Sequence, residues 1–234
     1  MFFYGFDPLY FLFALPALAF VLYAQWKVKS TYARYSQMPS PRGLSGVEVA
    51  QLLLRQNGLG AIGIERIPGE LTDHYDPGAK VLRLSDSSFG QPSVAALGVV
   101  AHECGHAVQD KLGYGPLRLR SALVPAANFG SNIGVWVFII GFPIHLLALS
   151  WIGVALFGLA TLFTLVTLPV ELNASNRALA MLRQGGFLVG DEMKGAEKVL
   201  TAAALTYVAA LAQSMATLLY FVFRLLGASG RDER

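Results

Sequence analysis

The chain has 234 residues, of which 54% are hydrophobic and only 14% charged. A soluble domain carries about 25% charged residues, so this composition excludes a protein that is water-soluble along its whole length. The net charge of +3 gives no basis for nucleic-acid binding, and the single cysteine, Cys104, excludes an intrachain disulfide.

The first predicted element is the uncharged stretch 8–26. It is long enough to cross about 30 Å of hydrocarbon, and membrane helices tolerate a proline such as Pro16. Tyr23 and Trp26 suit the interface at one end. A secretory signal has positive charge before its apolar run. Here the early charge is Asp7, and Lys27, Lys29 and Arg34 come after the run. The segment is therefore expected to be a retained anchor with its N-terminus outside.

Residues 27–42 are polar and basic and end in Met-Pro-Ser-Pro-Arg-Gly, which predicts a linker. A helix follows, with Ser45 as N-cap, Glu48 completing a capping box and Gly58 as the stop. Ile62–Ile67 and Val81–Ser85, separated by Asp76-Pro77-Gly78, predict a small sheet or hairpin. An edge strand there could hold an extended peptide by adding it to the sheet. His74 and Tyr75 precede the turn. Either is a candidate for stabilising an oxyanion, and the plainer alternative is a turn residue bonded to backbone.

Ser93 predicts the N-cap of a helix running to about Leu112, ended by Gly113 and Gly115-Pro116. Within it lies His102-Glu103-Cys104-Gly105-His106, an H-E-x-x-H sequence. Two imidazoles four residues apart share one helix face and can reach one metal ion. Zinc accepts neutral imidazole nitrogen and, in a catalytic site, keeps a position open for water. Glu103 lies beside that face, where its carboxylate can take a proton from metal-bound water. Cys104 is a possible sulfur ligand, or a small packing residue. The apolar run Val94–Ala101 predicts burial in a protein core or in lipid. Gln109, Asp110 and Lys111 predict that the far end of the helix is wet.

Two further spans are expected at about 131–149 and 152–170, joined by a tight turn around Ser150, Trp151 and Gly153. The crossing returns the chain to the side it left. The next carboxylate, Glu171, thereby joins the side of the membrane that carries the motif. A third protein ligand is required. His145 lies about a bilayer away, so position and elimination select Glu171. A helix is predicted from Glu171 to a stop at Gly185-Gly186, with the ligand near its N-terminus. Asn173, Ser175 and Asn176 are candidates to orient ligands by hydrogen bonds, and Arg177 is a third candidate for the oxyanion or a membrane-surface cation. Residues 191–198 are polar, a fourth span is expected at about 202–226, and the tail after Gly227 is short and charged.

Residues 27–120 hold eleven Lys and Arg and 171–198 hold four, while the hairpin tip holds none. By the positive-inside rule the basic loops are cytoplasmic. The expected architecture is a mainly α, multi-pass helical membrane protein forming one domain over 1–234. Its small α+β zincin-like part is expected in the cytoplasm, built from about 27–120 and 171–200.

His102-Glu-Cys-Gly-His106, Leu71-Thr-Asp-His-Tyr-Asp-Pro77, Leu82-Arg-Leu-Ser85 and Pro169-Val-Glu171-Leu-Asn-Ala-Ser-Asn-Arg-Ala178 together resemble the YugP-like neutral zinc metallopeptidases of bacterial membranes. The resemblance covers nearly the whole chain and extends to the HtpX-type membrane proteases. It implies Zn2+ held by His102, His106 and Glu171, with endopeptidase activity on peptide or membrane-protein substrates. HtpX-type enzymes have Asp four residues after the ligand Glu, where this chain has Ser175. The expected catalytic group is Glu103, as general base. Two alternatives stand beside this expectation. One is an intramembrane, site-2-like zinc protease, although the Leu-Asp-Gly ligand motif of such enzymes is absent. The other is a non-catalytic scaffold stapled by zinc, which would need no base.

Overall fold

The computed structural model describes residues 7–232, with side chains placed to residue 228. The last residues of the charged tail, 233 and 234, lie outside the described residues. In chain order the elements are α1 (Pro8–Ser36), α2 (Gly46–Gln56), β1 (Gly63–Ile67), β2 (His74–Asp76), β3 (Val81–Ser85), α3 (Asp86–Phe89), α4 (Val94–Lys111), α5 (Gly115–Gly141), α6 (Leu147–Gln184) and α7 (Gly190–Asp232). The chain is mainly helical, and four helices, α1, α5, α6 and α7, are long and apolar enough to cross a membrane. The residues divide into two compact units. One holds the chain up to Tyr23, Leu119–Leu168 and the part from Thr206 onward. The other holds Ala24–Arg118 and Pro169–Leu205.

In the first unit the long helices pack through small residues. A Cβ on Gly134 would lie 2.7 Å from the Phe157 nitrogen, and one on Gly153 would lie 2.6 Å from the Phe138 nitrogen. Glycine here lets the α5 and α6 backbones approach closely, as membrane helix pairs do. Phe138 stacks on Phe221 with ring centroids 3.9 Å apart, and Thr161 and Ser214 share a hydrogen bond of 2.7 Å.

The turn between α5 and α6 differs from the expectation. Ser150, Trp151 and Gly153 lie inside α6, and the chain reverses at residues 142–146. Pro143 supplies no N–H and disfavours helical backbone at Phe142. His145 adopts a left-handed φ of 57°, and the Leu146 N–H closes the turn on the Gly141 carbonyl at 3.0 Å. His145 is thus a turn residue.

The second unit is organised around α4. Val94, Ala95, Ala96, Leu97, Val100 and Ala101 are all buried, packed with Val49 and Leu53 of α2, Leu82 and Leu84 of β3, and Leu182 and Leu200 of the long helices. The apolar run ahead of the motif is therefore explained by a protein core. Ser93 caps α4, its Oγ accepting the Ala96 N–H at 3.2 Å. At α2 the Glu48 carboxylate reaches back to the Ser45 N–H at 2.8 Å.

The sheet has order β1-β3-β2, with β1 parallel and β2 antiparallel to β3. β2 is an edge strand, registered His74 to Arg83, Tyr75 to Leu82 and Asp76 to Val81. Asp73 holds it there: its carboxylate accepts the Ser85 N–H at 2.8 Å, the Ser85 hydroxyl at 2.7 Å and the Ser88 hydroxyl at 3.1 Å.

Two helix boundaries also differ. α1 continues through Lys27, Lys29 and Arg34 to Ser36, so the linker is shorter than its composition suggests. α6 is unbroken across Pro169. Glu171 therefore sits in mid-helix, and no helix N-terminus supports its charge. A proline removes one helical hydrogen bond without obliging a long helix to stop.

Candidate metal centre

The imidazoles and the carboxylate singled out by spacing converge within the second unit. Ligand atoms of His102, His106 and Glu171 all lie within 4.8 Å of one another. His102 Nε2 is 3.1 Å and His106 Nε2 is 3.4 Å from Glu171 Oε2. Zinc bonds of about 2.1 Å in a tetrahedron place neighbouring ligand atoms about 3.4 Å apart, so these spacings and the N, N, O donor set fit a zinc ion. Cys104 faces the core, buried, and takes no part.

Close helix approach makes this convergence possible. A Cβ on Gly105 would lie 2.6 Å from the Ala174 carbonyl oxygen, so only glycine allows α4 this near α6. Glu171 is 2% exposed. Burial opposes its charge, but hydrogen bonds and charge from His102 and His106 outweigh burial and hold its pKa well below the usual carboxylate range. For His106 burial again works against the charged form; Glu171 and Glu103 outweigh it and raise the pKa.

Glu103 lies beside the pair, toward the sheet. Burial raises its pKa, against the opposing pull of His106 and His102. Its Oε2 accepts the Tyr75 backbone N–H at 3.0 Å. That N–H is the outward-facing donor of the edge strand, so β2 and Glu103 meet directly.

The other sequence candidates separate clearly. The Tyr75 hydroxyl donates to Asp110 at 2.7 Å, and Lys80 pairs with the same carboxylate. Burial and Asp110 together push the phenol pKa up. Asp110 itself is lowered: burial opposes its charge, and Lys80 and Tyr75 outweigh burial. His74 is exposed, with Nδ1 at 2.9 Å from the Thr72 carbonyl, in line with the plainer alternative. Ser175 lies behind His102, Oγ to Nδ1 3.1 Å. Asn176 is exposed.

Gln109 is the residue that sequence reasoning missed. It was expected at the wet end of α4, yet it has no exposed surface. Its Oε1 lies 3.0 Å from His106 Nδ1, and its Nε2 donates to the Val170 carbonyl at 2.8 Å and to Asn173 Oδ1 at 3.0 Å. The available signal was its spacing, three residues beyond His106 and so on the same face.

A mainly helical protein with four candidate membrane helices and a buried His-His-Glu convergence on an H-E-x-x-H helix has the build of a membrane metallopeptidase. A family model described as "Putative neutral zinc metallopeptidase" matches residues 10–226, and the chain belongs to that family. A protein of Bacillus subtilis (strain 168) named "Putative membrane protease YugP" is 43% identical over 225 residues, covering 96% of this chain and 99% of that protein. No solved structure matches the chain.

Proposed function

We propose that this protein is a zinc-dependent membrane endopeptidase with its site on the cytoplasmic side. The observation that carries the proposal is the convergence of His102, His106 and Glu171 on one point, with Glu103 beside it. Zinc in such a set supplies Lewis acidity toward a scissile carbonyl and acidifies water. Glu103 accepts the proton of the attacking water and delivers it to the leaving amine. The Tyr75 N–H keeps that carboxylate aimed from the sheet side. The edge strand β2 lines the approach, which suits an extended peptide or a loop of a membrane protein. Cytoplasmic orientation rests on the eleven and four Lys and Arg in the two segments that build the second unit.

Burial of Val94, Ala95, Ala96, Leu97, Val100 and Ala101 among protein side chains favours this reading over an intramembrane protease, whose motif helix would meet lipid. A zinc-stapled scaffold would leave Glu103 without a task. The test is zinc content together with cleavage of casein or a membrane-protein substrate, for wild type and Glu103→Gln in detergent. The variant is expected to keep zinc and to lose about 100- to 10,000-fold in rate. Full cleavage by a zinc-loaded Glu103→Gln protein would reject the role of Glu103, and cleavage that survives complete chelation would reject the metal.

A further inference from the structure

A buried carboxamide has two donor hydrogens and an acceptor oxygen to place, and the orientation of Gln109 follows from its neighbours rather than from any choice of flip. The Val170 carbonyl, 2.8 Å from Nε2, can only accept. The second contact of Nε2, Asn173 Oδ1 at 3.0 Å, also receives the Arg177 Nε at 2.8 Å, and a guanidinium can only donate. An acceptor at one neighbour and a donor-locked amide at the other both require Nε2 to be the donor. Oε1 therefore faces His106 Nδ1 at 3.0 Å and can only accept. His106 must carry a proton on Nδ1, so its neutral form presents the lone pair of Nε2, the atom 3.4 Å from Glu171 Oε2.

We propose that Gln109 is a positioning residue that imposes the Nδ1–H tautomer on His106 and ties α4 to α6 at the metal centre. The proposal rests on the zinc reading of the site. Every direction in the Gln109, Asn173 and Arg177 network is fixed, with Arg177 and Gln109 both donating to Asn173 Oδ1 and His106 donating to Gln109 Oε1, a constraint that the partner of the other histidine lacks. Ser175 behind His102 has a hydroxyl that donates or accepts equally well, so it supports that ring without selecting its tautomer. Losing a group that orients a metal-binding histidine costs about 10- to 100-fold in metal affinity.

The experiment uses the full chain in detergent micelles. Zinc affinity is measured by competition with a chromophoric chelator for wild type, Gln109→Leu and Ser175→Ala, with circular dichroism as the control for folding. Gln109→Leu is expected to bind zinc about 10- to 100-fold more weakly, and Ser175→Ala to lose less. In parallel, 15N-labelled histidine in the metal-free wild type is expected to show His106 protonated on Nδ1. This measurement decides the question if Gln109→Leu does not fold. A wild type that binds no zinc overturns the metal reading. Zinc held equally tightly by wild type and Gln109→Leu, or a His106 protonated on Nε2 and not on Nδ1, overturns the role of Gln109 alone.

Discussion

Replacing Gly105 by alanine adds one methyl group at the point where α4 touches α6. The new Cβ would lie 2.6 Å from the Ala174 oxygen, 3.2 Å from its carbonyl carbon and 3.3 Å from its Cα, all backbone atoms of a helix that cannot turn aside. Reaching an ordinary contact of about 3.4 Å requires the helices to part by about 0.8 Å. Overpacking of this kind costs about 1–3 kcal/mol, while alanine regains about 1 kcal/mol of helix propensity over glycine. The net loss of stability is thus about 0–2 kcal/mol, a drop in Tm of at most about 8 °C. The metal centre has far less slack, because ligand distances must hold within about 0.2 Å. His102 and His106 on α4 would move away from Glu171 on α6, so zinc affinity should fall at least about 100-fold, or about 2.7 kcal/mol. Gly98 on the same helix is the control. Its Cβ would meet Ala196 at 3.6 Å, an ordinary contact, so Gly98→Ala should leave zinc binding unchanged. Chelator competition and thermal melts of both variants decide the matter, and Gly105→Ala binding zinc as tightly as wild type would refute the reasoning.

His102→Ala and Glu171→Ala should each abolish stoichiometric zinc binding by metal analysis while leaving the helical circular-dichroism signal in place. The Asp76 carboxyl is held at about 2 by the Ala79 N–H and by Arg83, below its ordinary 3.8. As pH falls from about 4 to 2 the unfolded chain takes up this proton first, so the contribution of Asp76 to stability is complete above about pH 4 and is lost toward pH 2. Acid titration of Asp76→Asn should lack that part of the decline, and an unchanged titration curve would refute the assignment. Gly134→Val would drive a branched side chain into the Phe157 nitrogen, 2.7 Å from its Cβ, and the Gly153 oxygen, 2.9 Å away. It should lower the melting temperature in detergent without changing the zinc affinity of protein that remains folded.

His102, Glu103 and His106 were legible because helical spacing alone puts two imidazoles on one face and a carboxylate beside them. Glu171 was legible because the chain offers few alternative ligands beyond the motif. The α5–α6 turn was misplaced, although Gly141, Pro143 and the absence of an N–H at Pro143 marked it. Polar Ser150 and Trp151 resemble a turn in composition, yet Ser150 is buried and Gly153 serves helix packing. Gln109 was misjudged for a similar reason. A polar side chain near a helix end suggests solvent, unless a neighbouring element supplies partners for all of its hydrogen-bonding groups.

Composition and periodicity are local properties, and they determined what one chain segment can establish by itself: four apolar helices, a capped motif helix and the candidate metal ligands His102, His106 and Glu171. Which atoms those side chains meet was decided by tertiary structure. The approach of α4 to α6 at Gly105, the grip of the β2 backbone on Glu103 and the orientation of Gln109 each depend on backbone groups far apart in sequence. Their positions follow from packing, and no spacing along the chain encodes them.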